Sequence, residues 1–184
     1  MLRLLATSPE AAGNVWRIDV SIKDSLLTGP LGFGAAPLGN MFRNIPEEEA
    51  VETVDAAWRE GTRYFDTAPL YGAGLSEIRL GKALTNRKRD EYVLSTKVGR
   101  LILDEIETDG RDFGKKAGLF EFGRPNRIVY DYSEDGALRS IQDSLKRLGV
   151  DRLDFVWFMM LRKISTATSG LRSSRPLAPE PSAR

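Results

Sequence analysis

The apolar residues of this chain recur with two periods, and the alternation between them lays out its elements. Residues 31–36, LGFGAA, form a short apolar run that predicts a first strand. Pro46 followed by Glu47, Glu48 and Glu49 predicts a helix start, because proline suits the first turn and acids favour the positive end of the helix dipole. Ala50, Val51, Val54, Ala57 and Trp58 then follow helical spacing until Gly61 stops them. Residues 62–65 bring threonine and aromatic side chains together and predict a second strand. Ser76 is placed as the N-cap of a second helix over 76–84, with Ile78, Leu80 and Leu84 among its apolar positions. Residues 92–98 predict a third strand. Ser133 caps a third helix with Leu138, Ile141, Leu145 and Leu148 on one face and Gly149 at its end, and residues 152–157 predict a fourth strand.

Strands alternating with helices argue for an α/β fold with a parallel sheet and right-handed crossovers. Several stretches fall outside that pattern. Residues 1–30 are poorly patterned, with an alternating run at 15–22 that could form a strand. Residues 99–132 are long, aperiodic and rich in charge and glycine, as suits either a functional loop over a site or a disordered insertion. The basic connector at 87–90 reads as a solvated turn. The glycines of GFGAAPLG lack dinucleotide-fingerprint spacing, and Pro37 stands where that motif's helix would begin, so they read as close packing. Residues 158–184 hold one acid against five bases among Ser, Thr, Pro and Ala, and predict a disordered tail.

Composition narrows the classes. A chain of 184 residues suits one domain. With 41% apolar residues, 29% charged and a net charge of +1, there is no electrostatic case for nucleic acid or a membrane surface. The absence of cysteine excludes disulfides and thiolate metal sites. The acidic run at 47–49 reads as helix capping, so no metal site is expected. The amino-terminal apolar residues are too few for a span or a signal segment, and a cytoplasmic location is expected.

The chemistry gathers in residues 61–84, GTRYFDTAPLYGAGLSEIRLGKAL, and in YVLSTK at 92–97. Asp66 and Lys97 fall where adjacent strands end, and Tyr71 lies in the loop after the first of them. Catalytic groups collect at that edge of parallel β/α folds.

These two segments resemble the signature of the aldo-keto reductases, NAD(P)-dependent oxidoreductases on a (β/α)8 barrel. GFGAAPLGN and residues 130–156 are similar to the branch of sugar and pyridoxal dehydrogenases. The resemblance covers about residues 31–157 and implies a partial TIM barrel, its first four strands and three helices, since a whole barrel takes about 250 residues. In the family the run at 1–30 often closes the barrel floor as a hairpin. The resemblance implies hydride transfer between NAD or NADP and a sugar-like or aldehyde carbonyl or alcohol. A free phenol titrates near pH 10, and a neighbouring ammonium favours its ionised form. Tyr71 is then the general acid or base, Lys97 tunes it, and Asp66 holds Lys97 and also belongs to the cofactor site. Asn40, Met41 and Tyr71 are implied at the substrate, with Phe42 beside them.

The family's cofactor is held mainly by loops of the last strands, which have no counterpart here. Its histidine at the end of the fourth strand is missing too, since the chain contains no histidine. Residues 157–160, WFMM, allow few codons, and one frame over the same bases spell Val, then His or Tyr, then Asp. The family has Val-His-Asp there, so residues 158–184 are expected to follow a frame shift. The chain is expected to be inactive alone. The alternative is a non-catalytic half-barrel that self-associates through open sheet edges or binds a partner.

Overall fold

A computed structural model describes Gly29, residues 31–106 and residues 119–159. Four strands, β1 (Phe33–Gly34), β2 (Tyr64–Asp66), β3 (Val93–Val98) and β6 (Phe155–Phe158), pair in parallel in the order β1-β2-β3-β6. Three helices, α1 (Glu47–Arg59), α2 (Leu75–Leu84) and α3 (Glu134–Leu148), alternate with them. This is the expected α/β architecture, four parallel strands and three helices of a partial barrel.

The register sorts each strand into two faces. Asp66 lies beside Ser95, Ser95 beside Phe155, and Lys97 beside Trp157. Side chains alternate along a strand, so these residues share one face while Phe65 and Leu94 point to the other. That second face carries the main core, where Phe65, Leu94, Val54, Leu80, Leu84, Leu148 and Leu153 are buried with the helices. Trp58 and Tyr92 pack on Phe65 with ring centroids 6.3 and 6.2 Å away. Each such side chain contributes about 1.5–3 kcal/mol on burial. The first face holds only a small cluster of Val93, Phe155 and half-buried Tyr64.

Local chemistry explains the helix ends. Pro46 is the extended N-cap of α1. The Ser133 hydroxyl accepts from the Gly136 N–H at 3.0 Å, and Gly149 ends α3 in the left-handed conformation.

Four expectations are corrected. Ser76 does not cap α2, which starts at Leu75 after Gly74; its hydroxyl is buried and donates to the Ala35 carbonyl at 2.6 Å. The connector at 87–90 is not merely solvated. Arg87 pairs with Asp55 at 2.8 Å, and Arg89 pairs with buried Asp154 at 2.6 Å while also donating to the Arg152 carbonyl. Residues 99–132 are not structureless, since β4 (Arg100–Ile106) and β5 (Asn126–Tyr130) form an antiparallel pair. Their short runs RLILDEI and NRIVY carried the strand signal, diluted by the charged residues between them. Finally, Phe158 belongs to β6, and the Met159 N–H donates to the Val98 carbonyl, so the expected tail's first two residues extend the sheet. Residues 1–28, 30, 107–118 and 160–184, and with them the expected floor hairpin, lie outside the described residues. No described helix is long and apolar enough to cross a membrane.

Candidate active site

The carboxyl-terminal ends of β2 and β3 bring the acid, the amine and the phenol together. The Lys97 Nζ donates to Asp66 Oδ2 at 2.6 Å and to the Thr67 carbonyl at 2.9 Å. The same Nζ lies 5.0 Å from the centroid of the Tyr71 ring, close enough for a cation–π attraction. The pair is partly withdrawn from solvent, with the Lys97 side chain 17% and the Asp66 side chain 27% exposed. Asp66 accepts a further bond on Oδ1 from the Ser95 hydroxyl at 2.6 Å.

Two loops place Tyr71. The chain after it runs through three left-handed residues, Gly72, Ala73 and Gly74. Ala73 has a φ of 52°, a costly conformation outside glycine, which persists only where surrounding structure imposes it. A Cβ on Gly72 would stand 2.3 Å from the Gly39 carbonyl oxygen, and one on Gly39 would stand 2.5 Å from the Tyr71 carbonyl carbon. The loops after β1 and β2 therefore touch backbone to backbone, which only glycine permits.

A buried arginine supports this contact. Arg79 of α2 donates to the Leu38 carbonyl at 2.8 Å, the Asn40 Oδ1 at 2.7 Å and the Ile45 carbonyl at 2.9 Å. Its Nε pairs with Glu47 at 2.9 Å. Burial alone would raise the Glu47 carboxyl, but hydrogen bonds from Lys82 and Arg79 bring it below the usual carboxylate range. A second buried carboxylate, Glu77, accepts from Thr96 of β3 at 2.7 Å and from Arg147 of α3 at 2.6 Å. Thr96 precedes Lys97, so Glu77 ties the strand that carries the amine to both flanking helices.

The turn leading into β5 covers Tyr71. The Phe120 ring lies 5.6 Å from the Tyr71 ring, the Arg124 N–H donates to the Gly72 carbonyl at 3.0 Å, and the Phe42 N–H donates to the Leu119 carbonyl at 3.0 Å.

Of the sequence candidates, Asp66, Tyr71 and Lys97 come together. Asn40 is 3% exposed and its amide is saturated. The Oδ1 accepts from the Ile45 N–H and Arg79, while Nδ2 donates to Asn44 and the Phe122 carbonyl. Asn40 holds its loop, and half-buried Met41 and exposed Phe42 are what that loop presents. Where the resemblance places a histidine, β6 offers Trp157 beside Lys97 and then Phe158. Sequence reasoning missed Tyr64, Ser95, Glu77 and Phe120. Strand alternation could have found Ser95, a small polar residue on the same face as Lys97.

Known proteins match the part of the chain that carries these residues. The model of the aldo/keto reductase family matches residues 30–161. D-threo-aldose 1-dehydrogenase of a Pseudomonas species is 45% identical over 132 residues, covering 69% of this chain and 38% of that enzyme. Pyridoxal 4-dehydrogenase of Microbacterium luteolum is 36% identical over 149 residues, covering 79% of this chain and 43% of that enzyme. Among solved structures, the holo form of an aldo-keto reductase from Bacillus halodurans has a TM-score of 0.51 and 30% identity, over 73% of this chain and 38% of that one. The chain thus spans about two fifths of the length of the curated relatives it matches. With the family model covering more than two thirds of the sequence, and its acid, phenol and amine assembled at one sheet edge, the chain belongs to the aldo/keto reductase family.

Proposed function

We propose that this chain carries the proton-transfer end of an NAD(P)-dependent oxidoreductase acting on a sugar-like or aldehyde carbonyl, or on the corresponding alcohol. The observation that carries the reading is the Lys97 amine, 2.6 Å from Asp66 and 5.0 Å from the Tyr71 ring. The nicotinamide cofactor, when bound, supplies or accepts the hydride. Asp66 suits a place beside it: a carboxylate has about four acceptor positions, and Ser95 and Lys97 occupy two. The others can accept from a hydroxyl of the cofactor's nucleoside.

Tyr71 gives a proton to the carbonyl oxygen in reduction and takes one from the alcohol in oxidation. The Lys97 ammonium lies 5.0 Å from the centroid of its ring. Asp66 and the Thr67 carbonyl fix that ammonium. Phe120, 5.6 Å from the Tyr71 ring, supplies an apolar wall beside the phenol, and Met41 and Phe42 of the preceding loop are the side chains offered to a substrate. The relatives' names, an aldose dehydrogenase and a pyridoxal dehydrogenase, support a polyhydroxylated or aromatic aldehyde as substrate class.

Turnover followed by nicotinamide absorbance, with aldoses and pyridoxal as substrates, tests the reading. Tyr71→Phe is expected to lower it by about 10²–10⁴-fold. A variant as active as its parent would remove Tyr71 from the chemistry. A second reading, a non-catalytic half-barrel, is favoured by the edge strand β6, where Trp157 is 48% and Phe158 62% exposed. No turnover by the 184-residue chain, together with association that grows with concentration in sedimentation, would favour it.

A further inference from the structure

We infer that Ser95 is a positioning residue for the Asp66–Lys97 pair, with Tyr64 as the group that orients Ser95. This deepens the proposed function and rests on it for its role in catalysis, though the geometry stands by itself. Ser95 is buried on β3, on the face it shares with Lys97 and beside Asp66 in register. Its hydroxyl lies 2.6 Å from Asp66 Oδ1 and 3.0 Å from the Tyr64 hydroxyl.

Proton counting gives this chain a direction. A serine hydroxyl has one proton to donate, and an ionised carboxylate can only accept. The Ser95 proton therefore goes to Asp66, and the Tyr64 hydroxyl must donate to the Ser95 oxygen. Tyr64 is itself held by an edge-to-face contact with Phe155, centroids 6.4 Å apart.

The consequence is geometric. A carboxylate held through one oxygen can swing about its Cβ–Cγ bond, and its ion pair swings with it. With Ser95 on Oδ1, Oδ2 is fixed toward Lys97, and the amine is held over the Tyr71 ring instead of sampling solvent. The Ser95 hydroxyl bonds to Tyr64 and Asp66, so it reaches Lys97 and Tyr71 through Asp66.

The test reads the amine directly and needs no turnover. The folded chain is treated with a limiting amount of an amine-acylating reagent, and labelling of each lysine is quantified by peptide mass spectrometry. Lys82 and Lys146, both largely exposed, are internal references. Asp66→Asn sets the rate for a Lys97 that has lost its ion pair. Ser95→Ala is expected to raise Lys97 labelling about tenfold, the scale of one hydrogen bond to a charged group, with Lys82 and Lys146 unchanged. Tyr64→Phe is expected to raise it less.

Two results would overturn the inference. Lys97 labelling at the parent rate in Ser95→Ala would show that the ion pair orients itself. Lys97 labelling that rises in Ser95→Ala only as far as the urea midpoint falls would show that Ser95 supports the fold and not the pair. Where turnover is found, Ser95→Ala should lower kcat with KM unchanged, and a raised KM with unchanged kcat would count against positioning. If Ser95 shields Lys97 but Tyr71→Phe leaves turnover intact, the inference about the pair survives and the proposed chemistry fails.

Discussion

The two faces of the parallel sheet are built from the same strands and differ in almost everything else. On the helix side, Phe65 and Leu94 are wholly buried under α1, α2 and α3. On the other, Val93 and Phe155 are buried, Tyr64 is half-covered, and Trp157 is 48% exposed next to the Asp66–Lys97 pair. The difference follows from sequence distance. Each helix that covers the outer face comes from the same βα unit as its strand. A barrel's inner face is instead filled by side chains from strands all round the ring. Stability and chemistry are accordingly separated, and substitutions on the two faces should behave differently.

The largest expected effect is on the outer face. Phe65→Ala removes a ring enclosed by Phe33, Trp58 and Tyr92, and should cost about 3–5 kcal/mol by urea denaturation. A loss under about 1 kcal/mol would mean the outer face is not the principal core. Glu77→Ala is comparable: it leaves Arg147 beside an empty partner position and frees Thr96, at a cost of about 3–5 kcal/mol. Sparing stability while altering Lys97 labelling would place Glu77 with the site and not with the scaffold.

Smaller effects sharpen the boundary. Ser133→Ala should cost about 1 kcal/mol through the lost cap of α3, with site chemistry unchanged. Acid should weaken the helix layer as well. Hydrogen bonds from the Ser133 side chain and backbone hold Asp131 below its ordinary value, and Glu47 is also lowered in the folded chain. A lowered carboxylate stabilises the fold above its unfolded value and ceases to do so as pH falls through the folded one. The denaturation midpoint should therefore decline below about pH 4.5, the ordinary glutamate value, and Glu47→Gln should flatten that decline. A decline of unchanged slope in the variant would exclude Glu47 as a contributor. The smallest effect is expected at Trp157→Ala on the inner face, within about 0.5 kcal/mol. A cost near that of Phe65→Ala would abolish the contrast between the faces.

Much of this was legible in the chain itself. The four parallel strands and three helices were marked by periodicity, Pro46, Ser133 and the stop glycines, because those signals are local. The strands β4 and β5 were hidden because charged and polar residues interrupt their apolar positions, and a charged, glycine-rich stretch separates them. Asp66, Tyr71 and Lys97 were readable because the signature is dense. Ser76 was misread because a serine before a helical run looks like a cap, and only the packing of α2 against the end of β1 buries its hydroxyl.

By itself the sequence determined the alternation of strand and helix, the family, and which acid, phenol and amine stand near the strand ends. Those follow from side-chain type and spacing within single elements. Only the tertiary structure decided that Asn40 is saturated, that Phe120 lies on Tyr71, and that Tyr64 and Ser95 converge on Asp66. Such facts depend on register between strands and on loops meeting across the sheet edge, where one residue's slip changes every partner.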